Sequence, residues 1–326
     1  MTAQQSQPAG PVLCIVGPTA TGKSELGVLV AKAVGGEVIS ADSMQVYRGM
    51  DIGTAKLTPG EMAGVPHHLL DLVDPDERFT VADWKERADR VIARLHHEGR
   101  LPIVVGGTGL YIRALTEDLD FAGAEGSEPV RERLRAFAAE HGNEALHRLL
   151  AARDPESARR LHPNDVKRVI RAIEVAELGR SPMSQGYQWT IRGGRYRVVL
   201  FGITMDRARL YQRVNTRVDE MMARGLLDEV RRLLERGYDR SLPSMQAIGY
   251  KELAAHLAGE MSLEEAVARI KQNTRRFVKR QLSWFRRDPR IVWLDRGEMA
   301  WPDEAVERVL PSASALAAGI PVQERE

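Results

Sequence analysis

A single cysteine, Cys14, stands in the 326 residues, so the chain makes no intrachain disulfide and no cysteine-based zinc site. That cysteine sits inside the apolar run Val12 to Val16, where a buried thiol is the expected reading and a nucleophile is not. The run itself is far shorter than the roughly 20 apolar residues of a membrane span and shorter than the apolar part of a secretory signal, so neither membrane insertion nor export is expected. The chain is read as cytoplasmic. No internal repeat occurs, and low complexity is confined to the Ala- and Ser-containing end, residues 311 to 326. What remains is an ordinary globular composition, 43% hydrophobic and 28% charged, enough to bury one large core or two modest ones.

Residues 1 to 10 are polar and are expected to form a loose tail. Val12 to Val16 reads as a strand, Gly17-Pro18 as the start of a loop, and Glu25 to Ala33 as a helix. Glu37 to Ser40, Ile103 to Val105, Val198 to Ile203 and Ile291 to Leu294 supply further short strands. Between them, Val81, Trp84, Ala88, Val91, Ile92 and Leu95 recur at helical spacing, with Thr80 and Asp83 placed as a capping box. Strands separated by helices predict an α/β fold with a parallel sheet, whose ligands gather at the strand carboxyl ends. Residues 121 to 197 break the alternation and read as a helical insertion, with helices over 131–140, 144–152 and 165–178. Its 14 basic and 10 acidic residues fit a modestly basic lid or clamp. The core domain is thus expected over 11–120 and 198–310, with a flexible tail over 311–326.

Gly17-Pro18-Thr19-Ala20-Thr21-Gly22-Lys23-Ser24 fits the G-x-x-x-x-G-K-[ST] phosphate loop at each fixed position, between a strand and a helix. Glycines let backbone amides wrap a phosphate chain, the helix N-terminus favours its charge, Lys23 neutralises it and the Ser24 hydroxyl is placed to ligate Mg²⁺. The loop alone leaves open whether it takes a nucleoside triphosphate or another diphosphate. Asp42, just past the second strand, reads from spacing alone as a general base, an outer partner of the magnesium ion or a local turn cap, a position where Asp is favoured for purely local reasons.

The near-neutral net charge of +2 hides a strong asymmetry. Val267 to Arg290 carries nine Lys or Arg and one acid, Asp288, on a segment that reads as a helix opened by Ser262 and Glu265. Ile270, Phe277, Leu282, Trp284 and Phe285 lie among the charges. A solvated helix face usually mixes both signs, so nucleic acid is the expected partner. Lys167, Arg168 and Arg171 form a second cluster on the insertion.

Three blocks taken together, Gly17 to Ser24, Asp42-Ser43-Met44-Gln45-Val46-Tyr47 and Met50-Asp51-Ile52-Gly53-Thr54-Ala55-Lys56, closely resemble the bacterial tRNA dimethylallyltransferases. Val105-Gly106-Gly107-Thr108-Gly109-Leu110-Tyr111, His162-Pro163-Asn164-Asp165 before Arg168, and Lys279-Arg280-Gln281 before Trp284 and Arg286 match further blocks in the family's order, from about residue 11 to 295. The resemblance implies a phosphate-loop NTPase-like core and transfer of a prenyl group from dimethylallyl diphosphate to N6 of the adenine following the anticodon. It implies diphosphate bound by residues 17–24 with Mg²⁺ on Ser24, Asp42 as base, and Thr108 and Arg217 beside the reacting groups. It implies contacts to the tRNA anticodon stem-loop from Asp42, Ser43, Met44, Gln45, Thr108, Arg131, Lys167, Arg168, Val169, Ile170, Arg171, Lys279, Arg280, Gln281, Trp284 and Arg286, in an enzyme expected to act as a monomer. The adenine would have to flip from its stack to reach the donor. Two rival readings need less of the chain: a small-metabolite kinase with ATP in the loop, and an RNA-binding module in which the loop only senses nucleotide.

Overall fold

The computed structural model describes residues 9–117, 119, 126–179 and 194–320. Within it the chain divides into two compact units, residues 1–118 with 193–326, and residues 119–192.

The larger unit is built on six parallel strands in the order β3-β2-β4-β1-β5-β6. They are β1 (Ala9–Val16), β2 (Glu37–Ser40), β3 (His67–His68), β4 (Pro102–Gly106), β5 (Tyr196–Thr204) and β6 (Ile291–Asp295). The two-residue strand β3, and the one-turn helix α2 (Pro59–Met62) before it, are too short to leave a sequence pattern. Strand β1 lies between β4 and β5, with Ile15 opposite Val105 on one side and Phe201 on the other. Its residues alternate between two buried layers, as the period-two geometry of a strand requires: Val12, Cys14 and Val16 face one, Leu13 and Ile15 the other.

Helix α3 (Val81–His97) and helix α4 (Gly109–Thr116) cover the first face. There Trp84 stacks on Tyr111 at 4.6 Å between ring centres and donates its indole N–H to the Ser40 carbonyl at 2.9 Å. Helix α1 (Lys23–Val34) and the last helix, α13 (Asp303–Ala317), cover the other through Leu26, Val30, Val309 and Leu316. Fully burying each such aliphatic side chain contributes about 1.5–3 kcal/mol. This layer corrects the expected tail over 311–326: Ala313 and Leu316 are buried in the core and the helix runs on to Ala317. Strand β1 likewise begins at Ala9, inside the expected N-terminal tail, and β5 begins at Tyr196, inside the stretch read as insertion. Residues 1–8 and 321–326 lie outside the described residues.

Helices α9 (Arg207–Ala223), α10 (Leu226–Glu235), α11 (Tyr250–Leu257) and α12 (Leu263–Phe285) complete the unit. A third core, holding Met50, Leu226, Val230, Tyr250 and Ile270, binds α10, α11 and α12 to the loop after β2. The capping boxes expected from sequence form: Thr80 with Asp83 opens α3, and Ser262 with Glu265 opens α12.

The smaller unit holds α5 (Glu128–His141), α6 (Asn143–Arg153), α7 (Pro155–Arg160) and α8 (Val166–Glu177), closed around Leu134, Leu146, Leu150, Val169 and Ile173. Helix α7 escaped the sequence reading; six residues are too few for a periodic signal, and Asp154 caps it by accepting from Ser157 N at 3.0 Å.

Candidate active site

The carboxyl ends of β1, β4 and β2 stand in adjacent positions, and each is followed by a loop carrying chemistry. After β1, residues 17–24 wrap into the N-terminus of α1. Gly17 (φ +143°) and Gly22 (φ +98°) take backbone angles that side chains disfavour, and Ala20 is also left-handed at φ +67°. The Thr21 hydroxyl donates to the Pro18 carbonyl at 2.9 Å, and the Lys23 ammonium reaches the same oxygen at 3.3 Å.

After β4, Gly106-Gly107-Thr108-Gly109 passes beneath α12. A Cβ on Gly107 would lie 2.3 Å from Gln281 Nε2, and one on Gly109 would lie 2.0 Å from the Trp284 ring, so the helix can approach only glycine there. Gln281 uses that approach to bridge two loops: its Oε1 accepts from Thr19 N and its Nε2 donates to the Gly107 carbonyl, both at 3.0 Å. Thr108 ties the third loop in. Its amide donates to the Ala41 carbonyl at 3.1 Å and its hydroxyl oxygen accepts from Ser43 N at 3.0 Å.

Asp42 opens that third loop. One carboxylate oxygen accepts from Met44 N at 2.9 Å, a local turn, so the cap reading is realised; the other has no protein partner among the described residues. Turn and chemistry are compatible in one carboxylate. Asp42, Ser43, Met44, Thr108, Lys23, Arg217, Arg280 and Gln281 all line one cavity of about 360 Å³. Val214, Val218, Met221, Leu226 and Phe277 give it apolar walls. A second cavity of about 520 Å³ shares Lys23 and Arg217 with the first and is lined besides by Ser24, Arg213 and Arg224. Volumes of this order suit small ligands.

Cations crowd the junction of the two cavities. Burial, then repulsion from Arg217, pushes the Lys23 ammonium down to about 8, while Asp42 opposes the shift. Burial lowers Arg217 as well; Asp42 and Glu220 oppose this, and Arg213 and Arg224 add to it. An anion between them would relieve the desolvation and the repulsion together. Ser24 lines the larger cavity, and among the described residues no cluster of three acidic, histidine or cysteine side chains gathers to hold a metal. That donor set fits Mg²⁺, which commonly keeps several waters and takes substrate phosphate oxygens rather than a full protein cage.

Several predicted site residues lie elsewhere or serve other ends. Gln45 spends its amide on the Ser40 hydroxyl and the Thr54 and Ala55 carbonyls, bracing the loop wall. Lys279 and Arg286 are exposed on or just past α12, and Trp284 is half-buried against Gly109. In the smaller unit, Val169 and Ile170 correct the expectation of RNA contact: both side chains are buried in the helical core. Arg131 and Arg171 both pair with the buried Glu174, Arg168 pairs with Asp165, and Lys167 is exposed.

Two groups escaped the sequence reading. Residues 246–251 line the smaller cavity, brought in by the turn before α11. Glu229, 3% exposed, accepts from three successive amides, Asp51 N, Ile52 N and Gly53 N, at 2.8–3.1 Å and from the Tyr250 hydroxyl at 2.6 Å. A lone Glu on an amphipathic helix carries no signal of such a role.

Residues 45–288 match the sequence family described as IPP transferase. The chain is a member of the IPP transferase family. The matched span starts after the phosphate loop, so that loop stands on its own motif and geometry. The chain is 52% identical over 302 residues to the tRNA dimethylallyltransferase of Desulforudis audaxviator, covering 93% of this chain and 97% of that one. To the tRNA dimethylallyltransferase of Symbiobacterium thermophilum it is 54% identical over 285 residues, covering 87% and 89%. Among solved structures, the tRNA isopentenylpyrophosphate transferase of Bacillus halodurans superposes with a TM-score of 0.71 at 44% identity, covering 95% and 97%. A eukaryotic dimethylallyltransferase acting on tRNA superposes with a TM-score of 0.79 at 29% identity, covering 97% of this chain and 81% of that one.

Proposed function

We propose that this protein transfers a dimethylallyl group from dimethylallyl diphosphate to N6 of the adenine that follows the anticodon of tRNA, acting as a cytoplasmic monomer. The observation that carries the reading is the smaller cavity, in which the Asp42 carboxylate, Lys23, Arg217 and apolar walls share one space beside the phosphate loop. The family membership supports it.

The diphosphate of the donor lies on the loop amides and the α1 N-terminus, between Lys23 and Arg217. As the allylic C–O bond breaks, negative charge grows on the departing diphosphate, and these fixed positive groups stabilise it more than the ground state. Ser24 would hold Mg²⁺ here, and the ion would supply further neutralisation of the diphosphate charge. The five-carbon chain lies against Val214, Val218, Met221 and Leu226, away from water. The flipped adenine presents N6 to the allylic carbon, and as the new N–C bond forms, the free oxygen of Asp42 accepts the N6 proton. Thr108 holds the Asp42 loop in register. The exposed cations of α12 grip the surrounding RNA.

The test is a single assay with unmodified tRNA, Mg²⁺ and either dimethylallyl diphosphate or ATP, read by nucleoside mass spectrometry. The expected result is prenylated adenosine with dimethylallyl diphosphate alone, lost in Asp42→Ala. ATP consumption with a small acceptor and no modified nucleoside would give the site to a kinase.

A further inference from the structure

A phosphate loop binds only while its amides converge inward, and that requires its carbonyls to be held outward. In this protein two arginines from distant parts of the chain hold them. Arg213, on α9, donates through Nε to the Ala20 carbonyl at 2.9 Å, and Arg296, in the 3-10 turn after β6, donates through Nη1 to the Thr21 carbonyl at 2.9 Å. Ala20 is the non-glycine residue of the loop in the left-handed region, where backbone strain needs an external hold.

Arg296 is itself held. Its guanidinium lies 4.5 Å from the centre of the Trp301 ring, and the Trp301 indole N–H donates to Glu25 Oε2 at 2.7 Å, in the first turn of α1. The pair closes tightly on Gly22: a Cβ there would lie 2.4 Å from Arg296 Nη1 and 2.8 Å from the Trp301 ring. The chain after the last strand therefore latches the loop at both ends of its Gly22 turn, at Thr21 and at Glu25.

We propose that Arg296, seated by Trp301, is a positioning residue for diphosphate binding, which keeps the 20–22 backbone turned so that its amides face the ligand. Arg213 does the same one residue earlier. The inference rests on the reading that the loop holds the donor's diphosphate. The motif Gly17 to Ser24 does not contain this latch, since its parts lie some 190 and 275 residues away in sequence.

The test measures binding of inorganic diphosphate with Mg²⁺ by calorimetry, alongside steady-state kinetics. Arg296→Met is expected to weaken diphosphate binding about tenfold and to raise the donor KM by a similar factor, with kcat within about twofold and tRNA affinity unchanged. Arg296→Lys keeps a donor and the charge and is expected to recover part of the loss. Should Arg296→Met fail to fold, Trp301→Phe carries the test: it keeps the ring, removes the bond to Glu25, and is expected to weaken diphosphate binding about threefold. Wild-type diphosphate affinity in the folded variants, with the wild-type protein binding normally, overturns the latch and leaves the proposed function standing. No binding of diphosphate by the wild-type protein overturns both.

Discussion

Helices α12 and α8 look alike as strings of letters and differ as surfaces. Both set several Lys or Arg within a few turns. On α8 the positive charge is largely spent: Arg168 pairs with Asp165, and Arg171 joins Arg131 on Glu174, which is fully buried and held below the usual carboxylate range by those arginines against the opposing effect of burial. On and just past α12, Arg276, Lys279, Arg286 and Arg287 are exposed, and none has a carboxylate partner among the described residues; Lys271, paired with Asp219, is the exception near the helix start. Counterion release rewards cations that are free to meet phosphate, so a paired cation adds less affinity for nucleic acid than an unpaired one. A paired arginine instead fixes its own fold.

Four experiments bear on that contrast and on its separation from the phosphate end of the site. Lys23→Ala has the largest expected effect, a loss of about 10²–10³-fold in kcat/KM for dimethylallyl diphosphate with tRNA affinity nearly intact. Equal losses of donor and RNA binding would erase the division of labour between loop and helix. Neutralising Arg276, Lys279 and Arg280 together is expected to weaken tRNA binding by at least about tenfold and to flatten its salt dependence by roughly two to three in log–log slope. An unchanged slope would mean that α12 does not face the RNA.

The pH dependence separates the two regions again. Lys23 is depressed to about 8, so its cation, and with it the hold on diphosphate, fades as pH rises through that value. In the free enzyme kcat/KM for the donor is expected to fall roughly tenfold by pH 9, while tRNA affinity, carried mainly by arginines, stays flat. Because the unfolded chain keeps that lysine protonated to about 10.5, stability with respect to this group rises with pH between about 8 and 10.5, so the lost activity is not unfolding. The smallest effect is expected from neutralising Lys167, Arg168 and Arg171: less than about threefold in tRNA affinity, with a measurable fall in melting temperature from the loss of the Glu174 pairing. A loss matching that of the α12 variant would break the comparison.

Much of this was legible in the sequence because it is local. A phosphate loop is a spacing of glycines and a lysine, a capping box is a hydroxyl and a carboxylate three residues apart, and a half-buried helix shows in its period. Asp42 was legible as a candidate because it follows a strand that must end beside the loop in a parallel sheet, whereas Thr108 was singled out only by the family resemblance. The paired state of α8 was not legible, since Glu174 meets Arg131 from another helix 43 residues away. Nor was the core position of Ala313 and Leu316, in a stretch whose composition reads as a tail.

The sequence by itself determined the parallel α/β class, the phosphate cradle over 17–24, the base candidate Asp42 and the sign of the charge on α12. Tertiary structure alone decided which cations remain free, that Gln281 joins the loops after β1 and β4, that Glu229 anchors the 51–53 backbone, and that Arg213 and Arg296 hold the outer face of the cradle. The physical reason is range. Backbone preference and periodicity act over a few residues and print themselves on the chain, whereas a buried hydrogen bond is set by whichever side chain the packed fold brings within about 3 Å, whatever its distance in sequence.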